Sequence, residues 1–323
     1  MIETPLAAGV VDVHAHWLPR ELFALPPGAP YGPMHDRDGG LFLGEIPLSI
    51  SAAAMSDVAA IEQDMRAAGV GVRVLSAPPF AFPVGDQDAG EYVQAFNDAL
   101  AGVVAGSGGR LVGLGMVTLD GRSGVTEQLA ALAATPGIAG VAIPPVLAGA
   151  SLDRGVLREV LRGAADLGLA ALVHPMQLPR PEWSGHYLAN LIGNPTETAT
   201  AVGATLLGGV IEELPLLRIC FVHGGGCAPA LLGRWEHGWH SRPDVRAGSK
   251  QPPREGFRQL YFDTVTHDAA ELGLLVGRAG ADRVVCGSDY PFDMAQQDPV
   301  AFAVEHGPDA DALTAGGRLF LGL

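Results

Sequence analysis

The chain is almost without lysine. It has 323 residues and 20 basic side chains, and Lys250 is the single lysine among them. Cysteine is also scarce. Cys220, Cys227 and Cys286 are too few, and odd in number, for a disulfide framework, and they form no CxxC that would suggest a zinc ribbon. Positive charge is in deficit, with 35 acidic residues and a formal net charge of −15. Such a balance repels a phosphate backbone, so no nucleic-acid partner is expected. No apolar run approaches the ~20 residues needed to span a bilayer, so no membrane segment is expected. Residues 1–10 lack the basic start and apolar run of a signal peptide, and the expectation is a soluble, cytoplasmic protein. What the chain does have is core material. Apolar residues make up 48%, charged residues 17%, and the mean hydropathy is +0.24, which together exclude a disordered chain.

Short apolar runs alternate with helical patterns along most of the length. Strands are expected at 10–14, 71–75, 111–117, 138–143, 169–173, 217–222, 260–263 and 283–286. Helices are expected near 55–68, 88–105, 125–134, 152–167, 196–212, 227–238 and 267–279, with one or two more in the tail. The 196–212 helix is announced by Asn194-Pro195. The strands are apolar throughout instead of alternating, which marks a parallel sheet covered on both sides. About eight β–α units in this length suit a single (β/α)8 TIM barrel over 1–323, with a doubly wound sheet as the rival. Two irregular stretches, about 18–50 and 176–194, read as insertions, the first of them following strand 1.

Barrel active sites lie at the C-terminal ends of strands. There the sequence places His14 and His16, then His174, His223, Asp263 with His267 close behind, and Asp289. In an extended segment, residues i and i+2 face the same way, so His14 and His16 converge on one point, as ligands of a divalent ion do. Each of these residues alone has an ordinary explanation: a chance pair, a satisfied core histidine, a helix-capping aspartate. Their shared placement after apolar strands points to a metal held by histidines and a carboxylate, with a coordination position left open for chemistry. The run His223-Gly224-Gly225-Gly226 matches the oxyanion loop of lipase-type hydrolases, but no serine stands in a GxSxG. His223 is therefore read as a general acid/base beside the metal, with a purely structural glycine turn as the other reading. No GxGxxG or Walker sequence calls for an organic cofactor.

With VDVHAH (11–16), LVHP (172–175), HGGGCAPALLGRWEH (223–237) and GSDYPF (287–292) in place, the chain resembles the amidohydrolase superfamily. Within it, the resemblance is to the branch similar to aminocarboxymuconate-semialdehyde decarboxylase. GNPTETATAV (193–202) and YFDTVTHD (261–268) add weaker support. The resemblance implies a distorted (β/α)8 barrel and one divalent ion, usually zinc, with manganese as the alternative. It assigns His14, His16, His174 and Asp289 as ligands and His223 as the catalytic histidine, with Asp289 also taking part in catalysis. Arg234 matches an arginine that the family passes across a dimer interface to a substrate carboxylate, which implies a homodimer. Trp183 and Phe292 are candidates to lie against a substrate ring, in a wider set with Trp17, Phe80, Phe82, Tyr187 and Tyr290.

Two departures narrow the expectation. Strand 4, at 138–143, has no lysine, so the lysine-bridged two-metal site of many amidohydrolases is excluded. No arginine stands between Arg37 and Arg66, where the named decarboxylase has a second substrate arginine, and Gly44 to Ser51 takes roughly that place. The expected activity is metal-dependent, non-oxidative decarboxylation of an unsaturated or aromatic carboxylic acid. The alternative is hydrolysis of a C–C, lactone or amide bond at the same metal, with Asp289 as base. A non-catalytic, metal-bound scaffold is the third reading.

Overall fold

A computed structural model describes residues 6–323 apart from 38–39, 86, 122–123 and 179. Eight parallel strands form one sheet in sequence order: β1 (Val10–His16), β2 (Val70–Ser76), β3 (Leu111–Gly115), β4 (Ile138–Ile143), β5 (Ala170–Val173), β6 (Arg218–Phe221), β7 (Tyr261–Asp263) and β8 (Val284–Val285). A helix follows each strand: α1 (Val58–Ala67), α2 (Gly90–Gly106), α3 (Val125–Ala134), α4 (Gly155–Leu167), α5 (Asn194–Leu207), α6 (Ala228–Ser241), α7 (Ala269–Ala279) and α8 (Ala310–Leu321). This is the (β/α)8 barrel. The doubly wound alternative falls because strand order never reverses and the two end strands meet. Val13 N–H donates to the Cys286 carbonyl at 2.9 Å, and His16 N–H donates to the Tyr290 carbonyl at 2.7 Å.

The strands are buried on both faces, as their unbroken apolar runs require; β1, β3 and β4 are buried at every residue. The helices bury one stripe each. In α4, Leu157, Val160, Leu161, Ala164 and Ala165 face inward, and Gly168, at φ +67°, ends the helix in the left-handed conformation.

Two sequence expectations change, and a third, that of one or two helices in the tail, resolves to two. The 18–50 stretch is not wholly irregular: it carries a three-stranded antiparallel sheet of Met34–Arg37, Gly40–Leu43 and Ile46–Leu48. Strands this short leave no periodicity to read. The helix expected over 196–212 stops at Leu207, because Gly209 takes φ +69° and Val210–Glu213 starts a separate turn. The tail forms two helices, Pro299–His306 and α8. In the second irregular stretch stand a turn at Pro181–Trp183 and a π-helical turn at Ala189–Gly193, which runs into α5. Among the described residues no helix is long and apolar enough to cross a membrane.

The seam between the first and last strands has a charged lock beneath the catalytic end. The Asp12 carboxylate accepts the Ser288 N–H at 3.0 Å, the Ser288 hydroxyl at 2.6 Å and Arg73 Nε at 2.9 Å. Arg73 comes from β2, is fully buried, reaches Asp64 at 2.7 Å and sits 4.5 Å from the centre of the Tyr290 ring. One carboxylate thus ties β1, β2 and the segment after β8 together. Removing one member of a buried, hydrogen-bonded pair leaves the other charge uncompensated. Asp12→Ala is therefore expected to lower the unfolding free energy by about 3–5 kcal/mol, measured by urea denaturation.

Candidate metal centre and active site

The barrel converts four strand ends into one cluster. His14 and His16 lie on β1 with their rings on the same side and are fully buried. His174 follows β5, and Asp289 follows β8 at φ +61°, a conformation uncommon for a residue with a side chain. One ligand atom from each of the four lies within 4.8 Å of every other. Asp289 Oδ1 stands 3.2 Å from His14 Nε2, 3.1 Å from His16 Nε2 and 4.0 Å from His174 Nε2.

The outward ring nitrogens explain why the inward ones converge. His14 Nδ1 donates to Asp263 Oδ2 at 2.6 Å, His16 Nδ1 to the Ala77 carbonyl at 3.2 Å, and His174 Nδ1 to the Pro175 carbonyl at 2.7 Å. These partners only accept, so each Nδ1 holds a proton and each Nε2 is directed at the common point, the usual outer support of a metal-binding imidazole. The Nε2 atoms of His14 and His174 are buried with no hydrogen-bond partner. Orphaned buried nitrogens on a shared focus, with a carboxylate beside them, fit a divalent cation. The four residues form a site suitable for one metal ion.

Electrostatics of the metal-free protein agree. Burial works to raise the Asp289 pKa, but the His14 charge and the close His14, His16 and His174 rings outweigh it and hold the carboxyl well below its usual range. Burial pulls His14 down, yet Asp289 and Asp263 prevail and push it up to about 10. Burial prevails at His174 and lowers it to about 3. One proton on His14 thus stands in for part of the cation's charge.

His223 sits beside the cluster, its Nε2 3.4 Å from Asp289 Oδ2 and its Nδ1 buried without a partner. The backbone around it is unusual: His223 has φ +56°, and Gly224, Gly225 and Gly226 are all left-handed. The glycines are required for geometry. A Cβ on Gly226 would lie 2.2 Å from the Pro195 carbonyl oxygen, at the start of α5. The run is therefore a tight turn that aims His223.

Two cavities flank the cluster. One, of about 300 Å³, is reached by His174, Asp289 and Phe292, and the other, of about 440 Å³, by His223, Asp289 and His267. They share Asn190, Asn194, Asp289 and Met294. Phe292 lines the first cavity, its ring centre 5.2 Å from that of His16. Trp183 does not reach either cavity. It packs against Gly193 under the Arg180 guanidinium, because the turn at Pro181–Trp183 holds it on the outside. Arg234 is exposed on α6 and lines neither cavity of its own chain. Of the other aromatic candidates, Phe80 and Tyr187 line the first cavity, Trp17 and Phe82 are core, and Tyr290 stacks on Arg73.

Two supporting residues were not assigned roles by sequence reasoning. Asp263, noted only as a strand-end carboxylate, accepts from His14 Nδ1 and from the N–H groups of Gly224 and Val265, so it orients a ligand and the His223 turn together. Glu197, in the first turn of α5, accepts the N–H groups of Met176 and Leu178 and fixes the loop after His174. Its signal was the acidic residue inside GNPTET.

Residues 11–316 match the amidohydrolase family. The chain belongs to this family. A curated relative, 2-amino-3-carboxymuconate-6-semialdehyde decarboxylase of Dictyostelium discoideum, is 33% identical over 241 residues, covering 73% of this amidohydrolase and 67% of the relative. The solved structure of 5-carboxyvanillate decarboxylase from Sphingomonas paucimobilis superposes with a TM-score of 0.80 at 21% identity, covering 98% and 99% of the two chains. The 5-carboxyvanillate decarboxylase of Novosphingobium aromaticivorans, solved with manganese, gives 0.78 at 17% identity over the whole of both chains. These structural likenesses establish the shared fold.

Proton release on metal binding tests the cluster. The folded-state pKa of His14 is raised from 6.5 to about 10, so its proton stabilises the metal-free fold fully below about pH 6.5, and that contribution fades as pH rises toward 10. A cation on Nε2 displaces this proton. Calorimetric titration of zinc or manganese near pH 7.5, in buffers of different ionisation enthalpy, is expected to read release of about one proton per ion. His14→Ala is expected to abolish both the binding and the release.

Proposed function

We propose that this amidohydrolase is a metal-dependent, non-oxidative decarboxylase of an unsaturated or aromatic carboxylic acid. The observation that carries the reading is the meeting of a three-histidine, one-carboxylate cluster with a separately supported histidine, His223, across a shared Asp289. The names of the Dictyostelium and Sphingomonas relatives supply the reaction class.

A divalent ion on His14, His16, His174 and Asp289 supplies the positive charge against which substrate oxygens are held. Zinc is the ion we favour for a histidine-rich set, and manganese is the one that the Novosphingobium structure carries. His223 holds a proton at Nε2, beside Asp289 Oδ2, and delivers it to the carbon bearing the carboxylate. The bond from that carbon to the carboxylate then breaks, its electron pair returns to the conjugated system, and CO2 leaves. A proton enters and CO2 departs, so no oxidant or organic cofactor is needed. Phe292 and Phe80 give the first cavity flat apolar walls for the ring or diene.

The working unit in this reading is a homodimer. Arg234 is exposed and makes no ion pair among the described residues, which supports a role outside its own chain. Its planar fork suits a carboxylate presented by the neighbouring subunit's site.

CO2 release from a panel of aromatic and muconate-type acids tests the reaction; products heavier by one water would favour hydrolysis. His223→Ala is expected to keep its metal, measured by elemental analysis, and to lose about 10²- to 10⁴-fold in kcat. Full activity in that variant would overturn the role given to His223.

A further inference from the structure

The four cluster residues are not held in the same way. His14 and His16 belong to β1, a seven-residue strand of the sheet, and His174 directly follows β5. Asp289 lies outside the ladder, because β8 ends at Val285. Its φ of +61° is one that a residue with a side chain keeps only when its surroundings impose it. The carboxylate most in need of fixing is therefore the one that strand pairing does not fix.

The residue before it supplies the hold. Ser288 is 2% exposed, and its hydroxyl spans the Asp289 backbone: it accepts the Tyr290 N–H at 3.2 Å and stands 2.6 Å from Asp12 Oδ2. A hydroxyl has one proton to give. The His14 carbonyl is 3.2 Å away, so the shorter contact, to the carboxylate, takes that proton. The other oxygen of Asp12 accepts two backbone N–H groups, from Ser288 at 3.0 Å and from His14 at 3.2 Å. One buried carboxylate thus grips the backbone of a cluster residue on β1 and of the residue preceding Asp289. Arg73 Nε, 2.9 Å from Oδ2, supplies the counter-charge.

Barrel closure itself does not use the hydroxyl. Val13 N–H bonds the Cys286 carbonyl and His16 N–H the Tyr290 carbonyl, main chain to main chain. Loss of the hydroxyl leaves those bonds in place. It frees the Tyr290 N–H, next to Asp289, and with it the backbone that carries the carboxylate. Ser288 and Asp12 line neither cavity, so they act on the site through Asp289 and His14. Both are buried within one chain, and a neighbouring subunit leaves these bonds as they are.

We propose that Ser288 and Asp12 are positioning residues that set Asp289 in its ligand-ready conformation in the metal-free protein, so that a cation finds the carboxylate already placed. The proposal rests on the reading of the cluster as a metal centre and adds a determinant of its affinity. A group ordered in advance loses less freedom on binding, and the difference appears as tighter association.

The test uses the full chain, freed of metal by chelator and then titrated with zinc or manganese. Amide hydrogen exchange reads the clamp without any substitution. In the metal-free protein, protection of the Tyr290 amide is expected to lie within about tenfold of that of Val13 and His16, whose N–H groups close the seam. A Tyr290 amide that exchanges freely while Val13 and His16 stay protected overturns the proposal. Ser288→Ala is expected to unfold in urea close to the unaltered metal-free chain, to lose protection at Tyr290, and to bind metal about 10- to 100-fold more weakly by calorimetry. Ser288→Thr keeps the hydroxyl and is expected to bind within about threefold of the unaltered chain. Unchanged affinity in Ser288→Ala overturns the proposal, as does a Ser288→Thr protein that is fully stable yet binds as weakly as Ser288→Ala. If Ser288→Ala does not fold, exchange in the unaltered chain decides. A chain that binds neither ion overturns the metal-centre reading, and Tyr290 exchange still decides whether the clamp exists.

Discussion

Asp289 is the point on which the site depends. It is a buried carboxylate with four imidazole nitrogens within 4.0 Å, and such a group is tolerated in an apolar barrel only because those rings surround it. Everything near it maintains that balance. Asp263, the Ala77 carbonyl and the Pro175 carbonyl fix the outer nitrogens of the three ligand rings. Two N–H groups, of Ser288 and Asp289 itself, bond the His14 carbonyl and hold the carboxylate's own backbone against β1. The left-handed backbone at Asp289 and at His223 is the local strain that this arrangement sustains. The four-residue cluster and His223 are thus one coupled electrostatic object.

The parallel sheet was legible because its strands are apolar runs separated by helical patterns; a doubly wound sheet leaves the same signature, so the barrel itself was read from the count of about eight units and from the resemblance. The four candidate ligands were legible for a related reason. Ionisable residues that directly follow a fully buried strand have few places to go except the catalytic end of the barrel. The small sheet in 18–50 was not legible, since three- and four-residue strands carry too little pattern. Nor were the roles of Asp12, Arg73 and Asp263. Each is an ordinary charged residue in the sequence and gains meaning only from neighbours 61 to 276 positions away. Trp183 was an aromatic in a Pro- and Gly-rich stretch, and composition alone does not tell which way such a turn directs its ring. Arg234 stands exposed on α6 and lines neither cavity of its own chain.

The segment after β1 and the glycine run after β6 divide the work between shape and placement. The first closes a cavity with apolar side chains, and the second brings a backbone so near to α5 that no side chain fits. Both follow strands whose ends they extend, so the scaffold that carries the ligands also sets the walls. This is how one barrel hosts different substrates: the strand ends stay fixed while the connecting segments vary.

The closure of the barrel has a consequence in time as well as in space. His16 and Asp289 meet from 273 positions apart in the chain, at the two ends of the eight-stranded sheet. A ribosome therefore delivers the first two ligands almost a whole chain before the last. Until the segment after β8 emerges, the nascent chain offers histidines without the carboxylate, and Asp12 has no Ser288 to hold. The four-residue cluster is complete only once the segment after β8 has packed against β1.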